Sequence, residues 1–188
     1  MSVTRIAVGV LTLASLAILG ACASKGEGEA HGHGAHAKGK GAMAVASLGP
    51  TQGSAVMGVV MFHEKDGHLM VHAKVSGLKP NAEHGFHVHE KGDCASTDGT
   101  SAGGHFNPDG KPHGPQDGAR HVGDMPALKS DAKGMADQKF MLHGPTLAAG
   151  PASIVGRSLI VHFGPDDYKT QPTGNSGARI ACGVIAAH

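Results

Sequence analysis

Residues 85–124 read GFHVHEKGDCASTDGTSAGGHFNPDGKPHGPQDGARHVGD. The stretch opens on Gly85-Phe86-His87-Val88-His89, where apolar residues alternate with imidazoles. Period two belongs to a strand, so Phe86 and Val88 share one face and His87 and His89 share the other. Two imidazoles on one rigid edge can reach one metal ion, although an exposed His-x-His pair is also common. From Lys91 to about Pro115 the chain is rich in Gly and Pro and has no apolar period. A loop that long inside a compact domain needs a function or a tie. His105, His113, His121 and Asp124 can supply one, since three imidazoles and a carboxylate suit a closed tetrahedral zinc site. Any one of these histidines alone reads as a surface residue; their density in one loop argues for metal.

Outside that stretch, Val56 to His63 and Leu69 to Val75 read as strands, with a hairpin turn at Glu64-Lys65-Asp66-Gly67-His68. Gly77-Leu78-Lys79-Pro80-Asn81 is turn chemistry. Further strands are expected from Glu83 to Glu90, Ala119 to Ala127, Met135 to Leu142, Ser158 to Phe163 and Ala178 to Ala186. Short strands, frequent turns and no helical period predict an all-β sandwich or barrel. Two long loops, His89 to about Arg120 and Gly164 to Gly177, adjoin strands that carry histidine. His162, at the end of Leu159-Ile160-Val161, becomes a ligand candidate because His87 and His89 need partners.

The 188 residues allow one domain of ordinary size plus short extras. Lys and Arg total 16 against 15 Asp and Glu, which gives no field for nucleic acid or acidic partners. Histidine is the outlier at 15 residues, and a surplus of imidazole points toward metal.

At the N-terminus, Arg5 precedes an apolar run from Ile6 to Leu19 that is too short to span a bilayer. Small residues then lead to Cys22, so residues 1–21 read as a cleavable export signal. Leu19-Gly20-Ala21-Cys22 resembles the lipobox of bacterial lipoproteins, which implies a lipid anchor to the membrane through Cys22. The alternative is an ordinary signal cut near Ala23. Export would place the protein on the periplasmic or cell-envelope side, an oxidising compartment. The remaining pair, Cys94 and Cys182, then suggests a disulfide, with two buried free thiols as the alternative. Residues 22–42 cannot bury a core and read as a flexible tether. Its His31, His33 and His36 are candidates for accessory metal capture, or incidental members of a solvated linker. The folded domain is expected from about Met43 to His188.

Taken together, Gly-Phe-His-Val-His at 85–89, Gly-Gly-His-Phe-Asn-Pro at 103–108, His-Val-Gly-Asp at 121–124 and Gly-Asn-Ser-Gly-Ala-Arg-Ile-Ala-Cys-Gly-Val-Ile at 174–185 resemble the copper–zinc superoxide dismutases. The resemblance runs from about Ala55 to the C-terminus. It implies a Greek-key β-sandwich or flattened barrel of about eight antiparallel strands, with two long functional loops. It also implies copper and zinc as cofactors and superoxide as substrate. By it, His87, His89, His105 and His162 bind copper, and His105, His113, His121 and Asp124 bind zinc, with His105 shared. Asp166 matches an Asp that links a copper ligand to a zinc ligand, here His87 and His113. Arg179 matches an arginine at the mouth of the copper site, and with His105 it is the catalytic candidate. His84 matches a structural position. His63, His68, His72 and His143 match no ligand and read as surface residues. Lys91 and Lys169 are candidates for guiding substrate. Cys94 lies farther before His105 than in eukaryotic members, as in the bacterial class, whose subunit contacts differ. The resemblance therefore leaves a homodimer open. A non-catalytic lipoprotein that buffers copper or zinc through the same fold is the alternative function.

Overall fold

The computed structural model describes residues 41–188. The expected export signal, Cys22 and the histidines His31, His33 and His36 lie outside the described residues. Strands β1 (Met43–Pro50), β2 (Met57–Lys65), β3 (His68–Ser76), β4 (Glu83–His84), β5 (Phe86–His89), β6 (Leu128–Lys129), β7 (Ala136–Leu142), β8 (Ser158–His162) and β9 (Arg179–Ala187) follow in chain order. One turn of 3-10 helix, Thr100–Ala102, lies in the first long loop.

Seven strands form one antiparallel sheet in the order β5-β8-β9-β1-β2-β3-β7, and β4 pairs with β6. The connections from β3 to β5 and from β7 to β8 each cross from one part of the sheet to another, the signature of a Greek key. Phe86 and Val88 of β5 share one buried cluster with Leu69 and Val71 of β3 and Leu142 of β7. The two ends of the sheet therefore face each other across a single core, as expected for a sandwich or flattened barrel.

Alternation explains how that core supports a site. In β5 every residue is buried. Phe86 and Val88 belong to the core cluster, while His87 and His89 are covered from the other side by the first long loop. β8 repeats the arrangement: Leu159 and Val161 enter the same core, and Ile160 packs with Ala102 and Cys182 in a second, smaller cluster.

Two expected strands need correction, and a further strand was not expected. Ala119 to Ala127 is not a strand. Its segment makes a turn, with the Asp124 N–H donating to the His121 carbonyl (3.2 Å), and a lone bridge pairs Asp124 with His87. Its backbone groups bond to other loop segments instead of a ladder. The stretch from Glu83 to Glu90 divides at Gly85, whose N–H leaves the strand to donate to the Gly164 carbonyl (2.8 Å). Met43–Pro50 is a full strand between β2 and β9 that the periodicity did not announce. The hairpin turn is also tighter than expected. Lys65 pairs with His68, which leaves Asp66 and Gly67 as a two-residue loop with φ of 51° and 78°.

The loop is fixed to β5 by a closed ring of backbone hydrogen bonds. The Val88 N–H donates to Gly123 (2.9 Å), the Gly123 N–H to Phe106 (2.9 Å), and the Phe106 N–H back to Val88 (2.8 Å). A Cβ on Gly123 would run into the Val88 carbonyl oxygen and lie 3.0 Å from the Phe106 nitrogen. Gly123→Ala is therefore expected to destabilise the domain by about 2–4 kcal/mol. Chemical denaturation of the variant checks this, and a change under about 0.5 kcal/mol, the level of an ordinary surface substitution, would contradict it.

Candidate metal centre

The ring places three histidine-bearing segments around one point: His87 and His89 flank Val88, His105 precedes Phe106, and His121 and Asp124 bracket Gly123. His162 joins from β8, the neighbour of β5. The register between β8 and β9 shifts between Val161 and His162, so Arg179 stands opposite His162. Such a bulge re-aims side chains at a strand end.

Each of the four rings on the β5–β8 side has one nitrogen engaged. His87 Nε2 donates to Asp166 Oδ2 (2.7 Å), and His89 Nδ1 to the Gly103 carbonyl (2.9 Å). His105 Nδ1 lies 3.0 Å from Asp124 Oδ1, and His162 Nδ1 donates to the Gly177 carbonyl (3.1 Å). The opposite nitrogens, His87 Nδ1, His89 Nε2, His105 Nε2 and His162 Nε2, are buried with no hydrogen-bond partner. A donor bond at one nitrogen leaves a lone pair at the other. Four ligand atoms of these rings lie within 4.8 Å of one another. An unpaired buried polar atom costs about 1–3 kcal/mol, so four lone pairs converging on one point fit a metal ion.

A second cluster surrounds Asp124. Its Oδ1 lies 3.0 Å from Nδ1 of His105, 3.0 Å from Nδ1 of His113 and 3.2 Å from Nδ1 of His121. His121 Nδ1 is 3.4 Å from His105 Nδ1. Zinc bonds near 2.0–2.1 Å give a tetrahedron with edges of about 3.3 Å. The distances from Asp124 to the three rings and from His105 to His121 thus match the spacing zinc imposes, and the His113 contact lacks hydrogen-bond direction, while the set whose ligand atoms all lie within 4.8 Å of one another joins His105, His113 and Asp124 with His87. His105 turns Nε2 toward the first cluster and Nδ1 toward Asp124.

Asp166 ties the clusters together: its Oδ2 accepts from His87 and its Oδ1 from His113 Nε2 (2.9 Å). The second long loop also holds the backbone of His113. The Gln171 side-chain oxygen accepts from the His113 N–H (2.8 Å), and its amide donates to the His113 carbonyl (2.9 Å). Tyr168 lies parallel to the His113 ring. Sequence reasoning singled out neither Gln171 nor Tyr168, and nothing in their local pattern marks them.

Arg179 donates to the carbonyls of Gly99 and Gly103, at 2.6 Å each. The Gly103 carbonyl therefore holds both the guanidinium and the His89 ring. Gly103 has φ of 75°, and a Cβ there would collide with the Glu90 carboxyl. The Cys94–Cys182 disulfide, with Cα atoms 5.8 Å apart, ties this loop to the strand that carries Arg179. His84 is buried and donates from Nδ1 to the His162 carbonyl (2.9 Å). His63 and His143 are exposed, His68 and His72 are half-buried, and Lys91 and Lys169 are exposed.

Burial dominates the electrostatics of the first cluster. It lowers the pKa of His87 despite Asp166. Burial and then the neighbouring His105 lower His89 to about 2, and burial and then His87 lower His162 to about 3. His105 falls to about 4 because burial outweighs the pull of Asp124. Arg179 lies close enough to depress His89 and His162 further. His113 differs: burial opposes its charge, but Asp124 and Asp166 raise it to about 9. Burial would raise both carboxyls. Hydrogen bonds from His105, His113 and His121 hold Asp124 far below the usual carboxylate range, and those from His113 and His87 do the same for Asp166.

These directions set the acid stability of the metal-free protein. An imidazole whose pKa is lower in the folded state lets the unfolded chain take up protons first as pH falls through 6.5. His89, His105 and His162 each then remove up to about 1.4 kcal/mol of stability per pH unit below 6.5. His113 contributes stability that is complete below 6.5 and lost as pH rises through about 9. The contributions of Asp124 and Asp166 are present above pH 3.8 and lost below it. The melting temperature of the metal-free protein is expected to fall steeply between pH 6.5 and about 4. A flat profile over that window would contradict the burial of these rings.

The profile of the family described as copper/zinc superoxide dismutase (SODC) matches residues 56–185. The chain is 42% identical over 149 residues to a protein named superoxide dismutase [Cu-Zn] 2 from Aquifex aeolicus, covering 76% of this chain and 85% of that one. It is 45% identical over 151 residues to superoxide dismutase [Cu-Zn] of Saccharomyces cerevisiae, covering 76% and 96%. A solved SOD-like protein from Bacillus subtilis superposes with a TM-score of 0.69 at 38% identity, covering 74% of this chain and 96% of that one. Sequence and fold agree over the whole span that carries both clusters, and the chain belongs to the copper/zinc superoxide dismutase family.

Proposed function

We propose that this superoxide dismutase holds copper through His87, His89, His105 and His162, and zinc through His105, His113, His121 and Asp124. The observation that supports this most is the set of four buried lone pairs facing one point beside the Asp124 cluster. When bound, copper supplies one-electron exchange between Cu(II) and Cu(I), while zinc, which has no redox chemistry, supplies fixed charge. Over one cycle, two superoxide anions and two protons become one oxygen and one hydrogen peroxide.

The chain's own residues perform the remaining tasks. Arg179 offers a fixed positive charge to a small anion, and its hold on Gly99 and Gly103 keeps the guanidinium from swinging away. Its field raises the capture rate, an effect that salt screens. His105 Nε2 is placed to carry a proton toward the four-imidazole pocket while Nδ1 stays beside Asp124. Asp166 fixes the tautomers of His87 and His113, so that both rings present lone pairs inward. A buffering protein has no evident use for a tethered guanidinium beside one pocket.

We also propose that the chain is exported and anchored by a lipid on Cys22. The supporting observations are the Leu19-Gly20-Ala21-Cys22 run and a disulfide suited to an oxidising compartment.

Three outcomes test these readings. His162→Ala is expected to lower activity by more than about 100-fold and to lose copper in elemental analysis while retaining zinc. Full activity would overturn the copper assignment. Arg179→Ile is expected to lower kcat/KM about tenfold and to flatten its dependence on ionic strength. An unchanged salt response would remove Arg179 from substrate capture. Cys22→Ser is expected to move the protein from the membrane to the soluble fraction with activity intact, whereas unchanged partitioning would refute the anchor.

A further inference from the structure

The outward side of the sheet carries sulfur and imidazole together. Buried and open positions alternate along β1, β2 and β3, and Met43, His63 and Met70 all fall on the open side. The register aligns them in one row: Met43 opposes His63, His63 opposes Met70, and Met70 opposes Met141 on β7. Four neighbouring strands thus present a thioether, an imidazole and two further thioethers side by side. Met61, two residues before His63 on β2, stands on the same face. Met141 is 46% exposed, so this row is open to solvent, while Met125 is fully buried and serves the core as methionine usually does.

Strands lie about 4.8 Å apart, so Met43 and Met70 flank His63 at that spacing. Methionine has three rotatable bonds, which lets both sulfurs swing toward the ring between them. Thioether sulfur is a soft, uncharged donor that selects Cu(I) over zinc or Cu(II), and imidazole also accepts copper. A monovalent ion needs no carboxylate for charge balance, and this row contains none. On these grounds we propose a surface site for Cu(I), formed by the imidazole of His63 and the thioethers of Met43 and Met70, with Met141 adjacent. The site lies on the outside of the sheet, whereas the metal centre lies between the buried face of β5 and its loop.

Silver(I) is a redox-inert probe for this chemistry. The full chain, first loaded with copper and zinc, is titrated with silver(I) by calorimetry, and the bound silver is examined by X-ray absorption. The unaltered chain is expected to bind silver(I) with sulfur and nitrogen neighbours. Met43→Leu combined with Met70→Leu conserves volume and is expected to weaken that binding at least ~10-fold, with dismutase activity unchanged. His63→Gln, which keeps both sulfurs, is expected to lower the nitrogen contribution relative to the unaltered chain. The imidazoles of His31, His33 and His36 are present in every sample, so the differences report the sheet face alone. Equal silver affinity in the double variant and the unaltered chain would overturn the proposal. So would equal affinity accompanied by altered sedimentation, which would identify the face as an interface between copies of the chain.

Discussion

The site depends on three backbone hydrogen bonds, those that join Val88, Phe106 and Gly123 in a closed ring. They connect a strand whose inner face is locked in the core to two loop segments that reach that core only through Phe106, Val122 and Met125. Every donor and acceptor in the ring belongs to the main chain, so the positions are set before any side chain turns. His87, His89, His105, His121 and Asp124 then point inward because their neighbours are pinned. Hydrophobic burial of Phe86 and Val88 is thereby converted into placement of imidazoles, one residue away on the opposite face.

Charge and hydrogen bonding supply the next level of order. Asp166 and Asp124 grip His113 from two sides, and Asp166 reaches across to His87. His87 in turn lies against His105, with ring centroids 4.0 Å apart. A continuous chain of ionisable groups therefore joins both clusters, with little water to screen it. Low dielectric makes such a network strict: each ring needs a partner at one nitrogen and a cation or proton at the other. Raised basicity at His113 and lowered basicity at His89, His105 and His162 are two expressions of that requirement. Two carboxylates outweigh burial at the first ring, while burial dominates at the others, against the pull of Asp124 at His105 and with Arg179 adding to it at His89 and His162.

Much of the candidate site was legible in the sequence because its candidate ligands are side chains in short motifs. Alternation placed His87 and His89 on one face, and their resemblance-based partners all lie in the clusters described. Elements built from backbone or from small residues were not legible. β1 buries Ala44 and Ala46, whose weak hydrophobicity hides its period. The segment from Ala119 to Ala127 was expected as a strand, but its main chain bonds to Phe106 and to the Tyr168 hydroxyl instead. The role of Gly103 rests on a carbonyl that every residue possesses, so nothing in its side chain could announce it. Gln171 braces the backbone of His113 from 58 residues away, a relation only the folded chain reveals.

In the proposed centre one ring, His105, serves two metals. Diffraction from crystals of the copper- and zinc-loaded protein, recorded at the absorption edges of both elements, tests it most directly. A copper peak is expected against Nε2 of His105, among His87, His89 and His162, and a zinc peak against Nδ1, beside Asp124. Two peaks with His105 bound to only one of them, or a single peak elsewhere, would contradict it.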